Sequence, residues 1–177
     1  MKLTFKQFGS TVAVAGAVGL LICAGLGAAG ARFNSTKSLP KGLYWTSSKP
    51  VAKGDHVIFC PPQIAVFDEA KKRGYIGAGF CQGNYGYMMK RVLAAKGDSV
   101  SITNSGVIVN GEPLPNSTPF DSDKSGRPMP RHEVAQFVLG DNEVLLMTDS
   151  PVSFDARYFG PVARVQLQSV IEPVLTW

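Results

Sequence analysis

An uncharged, apolar run near the amino terminus constrains this chain more than any other feature. Residues 10–31 carry no charged side chain, and Lys2 and Lys6 precede them. A helix of about 20 apolar residues spans a bilayer. A cleavable signal peptide has a shorter apolar core of about 7–15 residues, followed by small residues such as those at positions 27–31. We therefore predict a membrane anchor or a signal segment in residues 1–31, and an exported domain in residues 32–177.

The exported part has the pattern of a single domain built from short strands. Runs of β-branched and aromatic residues alternate with Gly, Pro, Asn and Asp, which favour turns. Residues 63–73 have helical spacing, and residues 113–131 and 153–160 are predicted as loops. Residues 162–170, with Val174 and Leu175 after them, are predicted to form one or two last strands. The sequence therefore predicts an all-β domain with one short helix.

The cysteines, histidines and charges narrow the chemistry of this domain. Cys23 lies inside the apolar run, whereas Cys60 and Cys81 lie in the exported part, where an oxidising compartment favours a disulfide between them. A metal site is a poor alternative, because the chain has no CxxC pair and its two histidines, His56 and His132, are isolated. The net charge of +5 is spread along the chain, so nucleic acid is not an expected partner.

One lysine interrupts an apolar strand. Residues 85–93 predict a β-strand on which Met88, Lys90 and Val92 share one face. If that face packs inward, the ammonium group loses its water, and desolvation lowers the pKa of a lysine. Such a lysine can act as a general base near neutral pH. The alternative is a lysine that extends to the surface at a strand edge.

Several blocks of residues, in a fixed order, resemble the type I signal peptidases, the Ser/Lys serine proteases that mature exported proteins. The blocks are Thr36-x-Ser38-x-Pro40, Lys53-Gly54-Asp55-x-Val57, Met89-Lys90-Arg91-Val92, Gly97-Asp98, Val109-Asn110-Gly111-Glu112 and the SFDARYFG run at 153–160. The resemblance implies that Ser38 is the nucleophile and Lys90 its general base. The chemistry supports this pairing, because a serine hydroxyl becomes a good nucleophile only when a base takes its proton.

The resemblance also implies supporting roles. Thr36 and the backbone N–H of Ser38 would stabilise the oxyanion. Ser153 would orient Lys90, and Asp155 would pair with Arg157 beneath the site, where an ordinary structural ion pair is the alternative. The implied fold is the coiled β-sheet of the signal peptidases, and no metal or cofactor is implied.

Departures from the ordinary signal peptidases make the match narrower. Ser38 and Pro40 are separated by one residue instead of two, and Met147-Thr148-Asp149 stands where those enzymes carry Gly-Asp-Asn. With Phe59-Cys60-Pro61-Pro62 and Gly79-Phe80-Cys81, the whole pattern resembles the TraF proteins of conjugative plasmids. Those peptidases mature the conjugative pilin, and in some systems they join its ends into a ring.

The resemblance implies a membrane-associated serine endopeptidase or transpeptidase that acts on a pilin precursor. Its expected place is the bacterial inner membrane, with the catalytic domain in the periplasm beside the mating-pair apparatus. One alternative is a general type I signal peptidase with broad substrates. Another is a β-rich structural subunit of the transfer apparatus, in which Lys90 is a packed lysine without a catalytic role.

Overall fold

The structure is a computed structural model that describes residues 5–177, with side chains from residue 9 onward. Lys2 and the side chain of Lys6 therefore lie outside the described residues. The described part consists of short strands, one long amino-terminal helix and two short helices. In chain order these are α1 (Phe5–Ala28), β1 (Ala31–Asn34), β2 (Gly42–Ser47), β3 (His56–Phe59), α2 (Ala65–Lys72), β4 (Ala78–Cys81), β5 (Met88–Ala94), β6 (Ser99–Thr103), β7 (Gly106–Val109), β8 (Glu112–Pro113), β9 (Val134–Val138), β10 (Glu143–Met147), α3 (Ala156–Phe159), β11 (Val162–Ala163) and β12 (Leu167–Thr176).

Helix α1 contains residues 10–28 of the predicted apolar run. Its stretch Gly9–Ala28 is long and apolar enough to cross a membrane, and none of it is buried against the rest of the protein. The helix leads almost directly into β1. The guanidinium of Arg32 donates a hydrogen bond to the carbonyl of Gly27 at 2.7 Å, and the backbone N–H of Thr46 donates to Gly30 at 3.0 Å. The end of the helix is therefore fastened to the first hairpin, while the domain boundary after residue 31 stays a prediction.

The larger sheet has seven strands in the order β1-β2-β12-β3-β5-β10-β11, and its neighbours pair antiparallel. Strand β5 lies between β3 and β10, with Lys90 opposite Val57 and Val92 opposite Leu146. Its Met88 and Val92 belong to the main core, whereas Met89 belongs to a second apolar cluster. Apolar residues thus cover both faces of β5, as its nearly continuous apolar sequence indicates.

The smaller sheet has four strands in the order β8-β7-β6-β9. Strands β6 and β7 form a hairpin in which Val100 pairs with Val109 and Thr103 with Gly106. Residues 113–131 then form the long loop that the sequence predicts. The loop is held to the domain, because the Tyr158 hydroxyl accepts a hydrogen bond from the backbone N–H of Phe120 at 3.0 Å.

Helix α2 covers one side of the core. It begins after Pro61-Pro62, buries Phe67 and Ala70, and carries Asp68 in its first turn, where an acidic side chain complements the helix dipole. A disulfide between Cys60 and Cys81 joins the end of β3 to β4, with the two Cα atoms 5.5 Å apart. The predicted disulfide is confirmed.

The all-β prediction is confirmed, with local differences. The predicted loop at 153–160 contains α3, whose amino terminus is capped by the Asp155 side chain accepting the backbone N–H of Arg157 at 3.3 Å. The one or two strands predicted after residue 162 are β11 and β12, and a 3₁₀ turn over Arg164–Gln166 separates them. Strand β1 was not predicted, because its four residues follow a helix directly and pair only with β2.

Candidate active site

Three side chains far apart in the sequence meet at one point. The Lys90 Nζ lies 3.0 Å from the Ser38 Oγ and 2.7 Å from the Ser153 Oγ. The two serine hydroxyls are 3.4 Å apart. Strand β5 supplies Lys90, the loop after β1 supplies Ser38, and the turn before α3 supplies Ser153. Ser38 is half-buried, so a substrate can reach it, whereas the other two are buried.

The pKa of Lys90 is strongly perturbed. Only 1% of the residue is exposed, and burial lowers the pKa of its ammonium group to about 8. The Asp155 charge raises this pKa, and the Arg157 charge lowers it. With a pKa near 8, Lys90 is uncharged in roughly a tenth of the protein molecules at pH 7, whereas an ordinary lysine is uncharged in a negligible fraction. The amine can therefore accept the proton of a serine hydroxyl.

Asn34 organises the loop that carries Ser38. It is 4% exposed, and its side-chain Nδ2 donates hydrogen bonds to the carbonyls of Leu39 at 2.9 Å, Pro40 at 3.1 Å and Thr36 at 3.2 Å. Asn34 was not among the predicted site residues. Its position at a strand end, before Ser and Thr, is a signal for a side chain that bonds the following backbone.

The predicted oxyanion donors lie beside Ser38 but contact each other. The Ser38 backbone N–H donates to the Thr36 Oγ1 at 3.4 Å, and the Thr36 hydroxyl donates to the Asn34 Oδ1 at 2.8 Å. To stabilise an oxyanion, the Thr36 hydroxyl must therefore turn away from Asn34. The structure brings the two donors together without directing both at one acceptor.

Asp155 and Arg157 form a fully buried ion pair. The Arg157 Nη2 lies 2.7 Å from the Asp155 Oδ2, and neither side chain is exposed. The guanidinium also donates to the carbonyls of Ser150 at 2.7 Å, Asn116 at 2.8 Å and Ser153 at 3.2 Å. These contacts fix the turn that presents Ser153 to Lys90. Such a role matches the structural alternative for this pair.

Two cavities meet at Ser38 and Lys90. The first cavity, of about 530 Å³, also touches Tyr75, Phe154 and the loop residues from Phe120 to Met129. The second cavity, of about 340 Å³, is lined by residues from Phe33 to Thr36 and by the start of β5. The loop wall of the first cavity was not predicted, because its polar sequence carries no motif.

The histidines lie apart from the candidate site. Neither His56 nor His132 lines either cavity, and burial lowers the pKa of both. Within residues 5–177, no group of three or more His, Cys, Asp or Glu side chains can hold a metal ion. The Ser38 hydroxyl and the Lys90 amine, 3.0 Å apart, can exchange a proton, and a serine hydroxyl activated in this way can form a covalent ester, which is the chemistry of acyl transfer.

Comparison with known proteins matches this chain to one family. The family described as "Signal peptidase, peptidase S26" matches residues 4–175. A plasmid transfer protein TraF of Escherichia coli is 61% identical over 178 residues, which cover all of both chains. A conjugal transfer protein TraF of Agrobacterium tumefaciens is 37% identical over 150 residues, 84% of each chain. The resemblance to signal peptidases is thus confirmed.

Among solved structures, the chain is similar to a signal peptidase I from Enterococcus faecalis V583. The TM-score is 0.40 and the sequence identity is 17%, over 71% of this chain and 100% of the other.

Proposed function

Because this chain belongs to the S26 family of signal peptidases, we propose that it is a membrane-associated serine peptidase in which Ser38 and Lys90 form the catalytic dyad. Its substrate is a conjugative pilin precursor, and the product is either a shortened linear chain or a ring. The full-length similarity to plasmid transfer proteins supports this substrate. The observation that carries the proposal is the 3.0 Å separation between the Ser38 hydroxyl and the buried Lys90 amine.

The acylation step follows from this geometry. Uncharged Lys90 takes the proton of the Ser38 hydroxyl while the Ser38 Oγ attacks the carbonyl carbon of the scissile peptide. Once the Thr36 hydroxyl turns away from the Asn34 Oδ1, Thr36 and the Ser38 backbone N–H stabilise the negative charge that develops on the carbonyl oxygen. The carbon–nitrogen bond then breaks, and Lys90 gives its proton to the departing amine. The acyl group remains as an ester on Ser38.

The second step decides between hydrolysis and ring closure. If water attacks the ester, Lys90 accepts its proton and the product is a linear chain with a new carboxylate. If the amino terminus of the same pilin attacks in its uncharged form, the product is a peptide bond. Both routes return the Ser38 hydroxyl, and both use Lys90 as the base.

Helix α1 supports a location of the active site near the membrane. Ser38 comes ten residues after Ala28, the last residue of the apolar helix, and β1 fastens the helix to the domain. If α1 crosses the inner membrane, Ser38 lies near the periplasmic bilayer surface. We therefore place the catalytic domain in the periplasm, next to a membrane-bound precursor and the mating-pair apparatus.

Intact-mass spectrometry of the pilin encoded with the same transfer system tests this proposal. The pilin is produced with the wild-type chain, Ser38→Ala or Lys90→Arg, and Lys96→Arg serves as a surface control. Wild type and the control are expected to shorten the precursor, and the two dyad variants to leave it intact. Ring closure gives a product lighter by one water than the linear chain of the same residues.

Processing by a folded Ser38→Ala variant would contradict the proposed function. An unprocessed precursor with all four proteins would contradict the proposed substrate. A mixture of linear and cyclic products would show that water and the pilin amine compete for the same ester.

A further inference from the structure

The two cavities meet at the Ser38–Lys90 pair and have different walls beyond it. They share Thr36, Ser38, Tyr75, Met88 and Lys90, so a carbonyl bound at Ser38 lies where the two cavities meet. An extended peptide bound across the dyad therefore places its acyl part in one cavity and its leaving part in the other.

The second cavity suits the acyl part. It is lined by residues 33–36, which include the end of β1, and by residues 86–90, which include the start of β5. A strand edge can bind an extended peptide through main-chain hydrogen bonds. In the described part of the chain, β10 pairs with β5 only from Arg91 to Ala94. The edge of β5 that faces β10 is therefore not paired with β10 at Met88 and Met89. The acyl part stays attached to Ser38 as an ester after the leaving part departs. We therefore expect main-chain hydrogen bonds to the strand edge to hold the acyl part.

The first cavity, which therefore receives the leaving part, has a distinctive charge. Lys37, Lys124 and Arg127 line it, and Asp123 is the acidic residue among its lining side chains. Arg127 and Asp123 form an ion pair at 2.6 Å. Asp123 also accepts hydrogen bonds from the Tyr75 hydroxyl at 2.5 Å and from the Ser125 backbone N–H at 2.8 Å. These donors hold the pKa of the Asp123 carboxyl well below its usual range.

Two ammonium groups remain for a ligand. Lys37 precedes the nucleophile, and Lys124 stands on the loop that forms the opposite wall. Both residues are exposed, and among the described residues neither has a salt-bridge partner. The first cavity therefore presents a positive charge that its own carboxylate does not neutralise.

The loop that carries Lys124 is held in place before any substrate binds. The Gly126 backbone N–H donates to the Asp123 carbonyl at 3.0 Å, and Ser122 pairs with Pro128. The Arg73 guanidinium donates to the Pro128 carbonyl at 2.7 Å and so ties the loop to the end of α2. A preformed wall loses little entropy when it binds a ligand.

We propose that Lys37 and Lys124 form a subsite for a carboxylate on the leaving part of the substrate. The inference rests on the proposed function, because it assumes a peptide cut at Ser38. The carboxylate is either an acidic side chain just after the scissile bond or the free carboxyl terminus of a short leaving peptide. Both offer the same charge to the two lysines.

Fluorogenic peptides of the mapped cleavage sequence test the subsite. One peptide has Glu on the leaving side and an amidated terminus, a second has Gln and an amidated terminus, and a third has Gln and a free terminus. With the wild-type protein, we expect kcat/KM for a carboxylate-bearing peptide to exceed that for the second peptide by about fivefold, because exposed ion pairs are individually weak. The arm that is faster identifies the source of the carboxylate.

Charge variants then assign the preference to these lysines. Lys37→Gln with Lys124→Gln should cleave all three peptides at similar rates, and Lys124→Glu should favour a peptide with Lys in place of Glu. The control Lys96→Gln changes an exposed lysine that pairs with Asp141 and lines neither cavity, so it should keep the wild-type preference. High salt should reduce the preference, because it screens exposed charges.

Equal wild-type rates for the three peptides would overturn the subsite, and so would an unchanged preference in the double variant. Ser38→Ala is the control for the underlying reaction. If Ser38→Ala is inactive and the wild-type rates are equal, the subsite alone is wrong. If Ser38→Ala cleaves the peptides, the proposed function itself is wrong.

Discussion

Lys90 and Arg157 are two buried cations of the same site, and their surroundings differ. Each is 1% exposed. Arg157 has a carboxylate partner and several backbone carbonyls, whereas the hydrogen bonds of the Lys90 Nζ go to the hydroxyls of Ser38 and Ser153. Arginine stays charged in proteins, while lysine changes its pKa readily when buried. The comparison shows that residue type and partners together, at equal burial, separate a cation that supports the fold from one that can move a proton.

The largest expected effect is on activity at Lys90. Lys90→Met fills the same space without an amine, and Lys90→Arg keeps a charge that cannot be shed. Each should lower kcat/KM on a cleavage-site peptide by about four orders of magnitude or more, as loss of a member of a catalytic unit does. Circular dichroism checks that the variants fold. Activity within tenfold of wild type in a folded Lys90→Met protein would contradict the role of Lys90 as base.

Arg157 should respond in stability. Arg157→Met leaves the Asp155 carboxylate buried without its cation, and breaking a buried pair in this way costs about 3–5 kcal/mol. Urea unfolding at neutral pH measures the loss. The matched change Lys49→Met removes an exposed cation paired with Asp55 and Glu172, so its cost should be about 1 kcal/mol or less. Equal losses in the two variants would mean that burial of the Asp155–Arg157 pair contributes nothing.

Ser153 links the two cations, because its hydroxyl accepts from Lys90 and its carbonyl accepts from Arg157. Ser153→Ala removes the 2.7 Å hydrogen bond to Lys90 and leaves the carbonyl in place. A hydrogen bond to a charged group is worth about 1.5–3 kcal/mol, so we expect kcat/KM to fall about ten- to a hundredfold. The acidic limb of the pH profile should also move to lower pH, because the lost bond favours the charged amine. An unmoved limb would mean that Ser153 has only a structural role.

Stability should depend on pH in a direction set by Lys90. Its folded pKa of about 8 is below the ordinary value of 10.5, so the folded state holds fewer protons than the unfolded state between these values. The free energy of unfolding therefore rises as the pH goes from about 8 to 10.5. Below pH 8 the burial of the charged Lys90 amine lowers the free energy of unfolding by its full amount of about 3 kcal/mol, since each pKa unit corresponds to about 1.4 kcal/mol.

Lys90→Met tests this dependence. At pH 7 the variant should be more stable than wild type by about 1–2 kcal/mol, because two hydroxyls that lose their partner offset part of the gain. The difference between the proteins should shrink as the pH approaches 10.5. A constant difference across this range, measured by urea unfolding, would show that the pKa of Lys90 is not lowered in the folded protein.

Sequence reasoning went furthest where a residue type conflicts with its surroundings. A lysine in an apolar strand suggested Lys90 as a candidate general base without any resemblance to a family. Its 1% exposure agrees with the apolar pattern of that strand. Cys60 and Cys81 gave the disulfide, because the exported part holds two cysteines. The strands of the domain followed from turn residues between apolar runs. Each of these signals can be read from residue types and their order in the chain, without knowledge of which distant segments touch.

Sequence reasoning failed where a role depends on contacts between distant segments. Asn34 is one polar residue among many, and its importance comes from three carbonyls that the loop after β1 brings to its side chain. The wall from Phe120 to Met129 reaches the site because Tyr75 and Arg73 bind the loop, and its sequence indicates only a surface segment. The resemblance, not the spacing, assigned Ser38 and Ser153.

The smallest expected effect extends the comparison from cations to buried hydroxyls. Thr148 follows β10 and is 2% exposed, and within the described residues its Oγ1 has no hydrogen-bond partner. Ser117 is 5% exposed, and its hydroxyl accepts from the Val107 N–H at 2.9 Å and donates to the Leu114 carbonyl at 2.7 Å. Removing an unpartnered hydroxyl at constant shape is nearly neutral or stabilising, whereas removing a partner leaves a buried donor unsatisfied.

Thr148→Val should therefore leave the free energy of unfolding unchanged or raise it by up to about 1 kcal/mol. Ser117→Ala should lose about 1–3 kcal/mol. If Thr148→Val is as destabilising as Ser117→Ala in urea unfolding, the Thr148 hydroxyl has a partner in solution, and partner choice does not distinguish these two positions.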